Sequence, residues 1–326
     1  MMRGRNYVSC AVRRANGAIE IKSESIPKNL YSGVWSKTPF LRAMPLLWDT
    51  LVLGTQMLTW AANEQAKDET NDERRTTKDE RRTTNDEGRT TNGNPAGDGG
   101  MESEAVKANT AGATGSEEGL SKAAIYGTLA VSLGIGIAVF FALPVLVANF
   151  LGGFGVSAFW NNIIEGVIRL ALFLAYLILI GRIPEIQRVF MYHGAEHKTI
   201  AAYEGGAELV PAQVQTFSKE HPRCGTGFLL TVVVISILFF IALGELPLGL
   251  RLLSRIVLIP FVAAVSYELI RFASQHRNIF VFDWLVVRPS LALQSLTTRE
   301  PTDEMIEVAV ASFQDVRGKE EALNVY

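Results

Sequence analysis

The sequence predicts a mainly α-helical protein: four membrane-spanning helices, a small N-terminal β-hairpin unit, a cytoplasmic metal-site loop and interfacial helices. Three observations carry this. Long uncharged apolar runs alternate with charged stretches, an Asn-Gly pair joins two short alternating runs near the N-terminus, and three of the four histidines lie between positions 193 and 221. Of 326 residues, 48% are hydrophobic and 20% charged, against about 25% charged in an ordinary soluble protein. Mean hydropathy is positive, at +0.18. Two cysteines, Cys10 and Cys224, exclude a disulfide-built scaffold. A formal charge of −2 offers no footprint for nucleic acid. The partner that composition names is the lipid bilayer; it names no substrate and no protein partner.

Residues 1–63 read as a cytoplasmic unit. Val8, Cys10 and Val12 alternate with polar residues, as do Ile19 and Ile21, and Asn16-Gly17 between them suits a hairpin turn. From Phe40 to Ala62, apolar residues at 40, 44, 47, 48, 51, 55, 58 and 62 make a helical stripe, with Pro45 in its first turn. Asp49, Gln56 and the threonines give it a polar side, so an interfacial helix is expected in preference to a fifth span.

Residues 64–121 form a linker. Positions 71–91 repeat with a period of seven, as in Asn-Asp-Glu-Arg-Arg-Thr-Thr, but no repeat position is apolar and no coiled-coil seam can form. Mixed charge, threonine and the Gly/Asn/Pro tail predict disorder.

Residues 122–270 form the membrane domain. A span takes about 20 apolar residues, and Ala123–Phe150, Ile163–Ile180, Thr226–Leu243 and Leu252–Tyr267 supply four, the last interrupted by Arg255 and Pro260. The loop 181–225 holds Arg182, Arg188, Lys198, Lys219 and Arg223, whereas 151–159 holds no Lys or Arg. This excess puts that loop and both termini in the cytoplasm, in a multi-pass membrane protein. The first fifteen residues carry four arginines and no apolar core, so the first span is the expected insertion signal. In 271–326, Asp283, Arg288 and Pro289 interrupt the apolar run 279–296, predicting helices along the membrane face. The segment after Asp303 predicts a helix with Ile306, Val310 and Phe313 on one face, packed on the cytoplasmic unit.

Chemistry concentrates in the cytoplasmic loop. On a helix, His193 and His197 are four apart and share a face, with Glu196 beside them. H-x-x-E-H is the inverted zincin pattern, in which two imidazoles hold zinc and the carboxylate is general base. His221 and Cys224 form a second half-site, giving a His3Cys ligand set for a divalent transition metal, zinc before others. Four protein ligands describe a structural site and three plus water a catalytic one. Glu196 favours catalysis and Cys224 favours structure, so both readings stand. Glu268, at the end of the fourth span, is a further acid: a remote ligand or proton carrier, or an ion pair with Arg271.

Four motifs carry a resemblance: Met1-Met2-Arg3-Gly4, Met191 to Thr199, His221 to Thr226 and Leu296 to Pro301. With them the chain resembles the YqhQ-like family, domain of unknown function 1385, described as predicted metal-dependent enzymes. The resemblance covers nearly the whole chain apart from the linker and implies a bacterial multi-pass membrane protein, naming no reaction. Family members usually carry a Gly-rich stretch ahead of the first motif, which implies a start upstream of Met1, and the heptad linker looks like a lineage insertion. Two functions follow as expectations: a membrane-bound metal-dependent enzyme, hydrolytic, or a non-catalytic membrane scaffold or assembly factor with a structural zinc site. A transporter is a weaker third, since Glu165 and Arg169 are too few intramembrane charges for a pathway.

The linker reading has a direct test. Deleting Asp68 to Gly100 should leave membrane insertion, metal content and thermal midpoint almost unchanged, because the segment has no large apolar side chains to bury. A large fall in thermal midpoint would show that the repeat docks.

Overall fold

The computed structural model describes residues 1–26, 38–45, 48, 52–67, 122–222, 224–244, 246–276 and 279–324. Almost all of the expected linker therefore lies outside the described residues. The chain divides into two compact units, Lys67–Ile137 and Met1–Ala66 with Ala138–Tyr326. The described helix of the first unit is α1, Lys122–Ile137. The second unit carries everything that follows.

Its N-terminus forms an antiparallel sheet of β1 (Met2–Arg3), β2 (Tyr7–Arg13) and β3 (Ile19–Ser25), in that order. The predicted hairpin is β2–β3, closing with Arg13 opposite Ile19. Gly17 takes φ +84°, which only glycine adopts without strain, and Ala18 N–H donates to Asn16 Oδ1 at 3.0 Å. The buried face of the hairpin, Val8 and Cys10, packs with Leu53 and Met57 of a helix over 52–67. That helix differs in phase from the expected stripe: Leu53, Met57 and Glu64 are buried, while Thr55, Leu58 and Ala62 are exposed. The helix has two apolar sides, and the sequence pattern followed the outer one.

After a π-helical turn (Ala138–Ala142) come α2 (Leu143–Gly152) and α3 (Ala158–Ile180). Next are α4 (Pro184–Glu204), a helical turn Pro211–Val214, and α5 (Thr226–Ala242). Thus α4 accounts for much of the segment 181–225 expected as a loop. Ala130–Gly152 and Phe159–Ile180 are long and apolar enough to cross a membrane; α5 is apolar but shorter. The expected fourth span is broken: α6 (Leu248–Val257) and α7 (Ile259–Gln275) bend by 47° at Leu258, ahead of Pro260. As one bent span they make a third. Large apolar side chains on these helices face outward, among them Phe150, Trp160, Leu179, Leu238 and Val257, as membrane association requires.

Residues 280–297 correct another expectation. Pro289 does not break them: Asp283–Val287 form a π-helical turn that absorbs the missing N–H, and α8 (Arg288–Thr297) follows directly. This run packs against α5, with Leu293 and Gln294 buried. The last helix, α9 (Asp303–Asn324), packs on α4 and all three strands, and its Ile306 and Val310 join Met2, Ala195, Ala202 and Val214 in one core.

The backbone between α8 and α9 lies on α4. A Cβ placed on Gly194 would sit 2.2 Å from the Arg299 carbonyl oxygen, far inside contact distance. Gly194→Ala should therefore destabilise the fold by about 3 kcal/mol, the upper end of over-packing costs, read as a lower thermal midpoint and faster proteolysis. An unchanged midpoint would mean that this contact is loose.

Candidate metal centre

His193 and His197 lie on one face of α4, in its buried middle. Their rings are 4.3 Å apart between centroids. Each is fixed through Nδ1 by a backbone carbonyl: Thr297 O at 2.9 Å from His193, and Lys219 O at 2.6 Å from His197. With Nδ1–H donating, each Nε2 is free to act as a ligand. His193 Nε2 lies 3.2 Å from Cys224 Sγ. One ligand atom from each of His193, His197 and Cys224 lies within 4.8 Å of the others. Two imidazoles and a thiol converging on a point, oriented from behind, match a zinc donor set. The residues fit a divalent transition metal.

The supports are short-range and specific. Lys198 is buried, and its Nζ donates to Gln215 O and Phe217 O, each at 2.8 Å, and pairs with Glu300 at 3.0 Å. That ammonium holds the chain leading to Lys219, whose carbonyl orients His197. Gln294 clamps the His221 backbone, accepting from its N–H at 2.8 Å and donating to its O at 2.9 Å. Cys224 sits three residues on, where Thr226 Oγ1 at 3.1 Å and its N–H at 3.4 Å face the sulfur.

The electrostatics follow from this geometry. Burial is the largest influence on Cys224 and pushes its thiol up, but hydrogen bonds from His193 and His197, the His193 charge and Thr226 outweigh it and bring the pKa to about 5. Burial likewise pulls His193 down, yet Cys224, the Thr297 carbonyl and Glu196 together hold it above its usual value. Without metal the Cys224 thiol is drawn towards its thiolate by the imidazole hydrogen-bonded to it.

The structure does not bring the other expected residues into this group. The His221 backbone is near, and its ring lies 5.9 Å from that of His197, but its Nε2 faces Glu204 Oε2 at 3.3 Å. Glu196 follows His193 by three and precedes His197 by one. At about 100° per residue that turns it away from His197, and its carboxylate pairs with the Met1 amine. It borders a cavity of about 360 Å³ with Met1, Tyr192, His193 and Ser312. Glu268 pairs with Arg42 through Nε at 2.6 Å and through Nη2, away from the expected Arg271 pairing. A smaller apolar cavity of about 200 Å³, lined by Phe173, Leu177, Ile180, Leu229 and Leu293, also reaches His193. The sequence assigns no role to Gly194, Lys198, Gln294 and Thr297, although all but Gln294 lie in the motifs that carry the family resemblance.

Alkylation of metal-stripped protein tests the thiolate. Cys224 should react with iodoacetamide nearly as fast at about pH 6 as at pH 8, slowing only towards its own pKa of about 5, whereas an ordinary thiol near 8.5 is almost wholly protonated at pH 6. His193→Ala should move the profile towards the ordinary value. A profile unchanged by that substitution would sever the link.

Comparison with known proteins agrees with this layout. The model of a family described as protein of unknown function (DUF1385) matches residues 38–319, which include α4, the Cys224 turn and the Thr297–Pro301 segment. A Bacillus subtilis (strain 168) protein described as uncharacterized protein YqhQ is 30% identical over 323 residues, covering 97% of this chain and 88% of its own length. No solved structure matches. The chain belongs to the DUF1385 family of YqhQ-like proteins.

Proposed function

We propose that this protein is a membrane-bound metal-dependent hydrolase of a bacterial inner membrane, with a divalent transition metal, zinc before others, held by His193, His197 and Cys224. The observation that carries the reading is the pair of carbonyls at Thr297 and Lys219, which fix both imidazoles with Nε2 turned towards Cys224. Three protein ligands leave a position for water or substrate. A bound ion supplies Lewis-acid activation of water and of a carbonyl or phosphoryl oxygen. His193 borders both cavities, so an amphipathic substrate can lay its apolar part against Leu177, Leu229 and Leu293 and present its polar end on the Glu196 side. Glu196, on the same cavity as His193, accepts the proton of the attacking group.

The membrane arrangement of this reading has four crossings: Ala130–Gly152, Phe159–Ile180, α5, and the bent pair α6–α7. Lys and Arg between α3 and α5 put α4, the metal centre and both termini in the cytoplasm.

One observation favours a second reading. The Glu196 carboxylate is engaged with Met1 and lies outside the ligand group, as in a scaffold where the metal staples α4 to the Cys224 turn. Metal analysis of the purified full chain separates the two. The wild type should carry about one equivalent of metal, lost in His193→Ala, His197→Ala and Cys224→Ser but retained in His221→Ala. Glu196→Ala should keep metal and fold while hydrolysis of a lipid-like ester falls by about 10² to 10⁴-fold. Metal retained with no functional change in Glu196→Ala would favour the scaffold, and metal-free wild type of normal stability would remove both readings.

A further inference from the structure

A second polar centre lies towards the other end of α3. Glu165 and Arg169, one turn apart, meet Arg251 and Arg255 of α6, and all four are buried. Fifteen residues separate Glu165 from Ile180, about 22 Å along the helix at its 1.5 Å rise, so this centre is remote from the histidines.

Its charges do not balance. Glu165 Oε1 accepts from Arg169 Nη2 and Arg255 Nε, and Oε2 from Arg251 Nε, Arg251 Nη2 and Arg255 Nη2, all at 2.8–3.2 Å. Five donors thus crowd a carboxylate that has roughly four acceptor sites. Three guanidiniums share this single carboxylate, leaving two positive charges without an acid partner among the described residues. The neutral partners are few. Asn162 Oδ1 accepts long bonds from Arg251 at 3.3 Å and Arg255 at 3.5 Å, and Asn161 can turn its amide oxygen to Arg251 Nη1 at 3.3 Å. Arg169 donates to the Phe140 carbonyl at 3.0 Å, but its buried Nη1 has no hydrogen-bond acceptor among the described residues. The Phe240 ring, 3.9 Å from the Arg255 guanidinium and 5.1 Å from that of Arg169, shields these charges from water without neutralising them.

Beside this cluster lies a cavity of about 440 Å³, walled by Asn149, Asn161, Asn162, Gly152 and Arg251. Its wall offers Arg251, whose Nη1 is not engaged by Glu165, and the Asn149 side chain, and among the described lining residues no acid. Charges buried within apolar helices are costly unless paired. We propose that this cavity binds an oxyanion of the phosphate class, held by Arg251 Nη1 and the cavity-wall asparagines and drawn by the surplus charge of Arg169 and Arg255. A guanidinium N–H to a phosphate oxygen is a charge-assisted hydrogen bond. A lipid phosphate headgroup and free phosphate present the same chemistry, and the inference is independent of the metal centre.

The test uses the full chain, delipidated in maltoside detergent. Inorganic phosphate should raise the thermal midpoint saturably, beyond chloride at equal ionic strength, and Arg251→Gln should abolish the shift. Arg251→Lys, which keeps the charge and loses Nη1, should weaken binding by about tenfold or more. Native mass spectrometry with phosphatidylglycerol, against a phosphate-free glycolipid, distinguishes the sources. Retained phosphatidylglycerol that phosphate displaces identifies a headgroup, and phosphate binding alone identifies a free anion; either supports the proposal. Glu245, between lining residues Gly244 and Leu246 in sequence, lies outside the described residues, so Glu245→Gln is included. Phosphate binding that appears only in that variant would make Glu245 the native counter-ion and overturn the proposal. So would wild type that binds neither probe, or equal binding by Arg251→Gln.

Discussion

The close seating of residues 297–301 on the middle of α4 is the constraint from which the metal centre follows. Arg299 N–H donates to Phe190 O at 3.0 Å, and the Arg299 side chain reaches Gly181 O at 2.9 Å. Gly194 has no Cβ, which lets the backbones meet. That approach brings Thr297 O to His193, and Glu300 to the ammonium that steadies the Lys219 segment. A bulkier residue at 194 would lift the segment from the helix and release the orienting carbonyl. Motifs about a hundred residues apart in sequence thus act as one element, with a geometry set by backbone groups and hence insensitive to side-chain rotamers.

The site residues divide accordingly. His193 and His197 were legible because a four-residue interval on a helix fixes their common face. Cys224 was legible as a ligand type, but its approach to them depends on Gln294 holding the His221 backbone, a contact across more than seventy residues that no local pattern encodes. The direction of the His221 ring was likewise unreadable, since spacing within a turn does not determine where an imidazole points. Glu196 was legible as the acid of the H-x-x-E-H string, but its pairing with Met1, almost two hundred residues away in sequence, leaves no local pattern.

At the level of the fold, the hairpin was readable because Asn16-Gly17 and strict alternation are local features, while the two-residue β1 is too short to leave a pattern. The apolar runs located the two helices long and apolar enough to cross a membrane, since length and composition alone define them. Breaks were read less well. Asp283, Arg288 and Pro289 interrupt the apolar run 279–296 in sequence, but the π-helical turn carries the helix through to Thr297. Pro260 does mark a real bend, where Leu258 closes α6 and opens α7. The four buried charges between α3 and α6 were visible singly, and only packing shows that one carboxylate gathers three arginines.

The fold therefore places two polar centres towards opposite ends of α3, one gathering His193, His197 and Cys224 and one gathering three arginines around Glu165. X-ray absorption at the metal edge of purified, zinc-loaded protein tests the first most directly. Coordination by His193, His197 and Cys224 gives one sulfur at about 2.3 Å and two imidazole nitrogens near 2.0–2.1 Å, with a light atom completing the shell. A shell without sulfur, or one carrying a third imidazole, would contradict the His193, His197 and Cys224 centre.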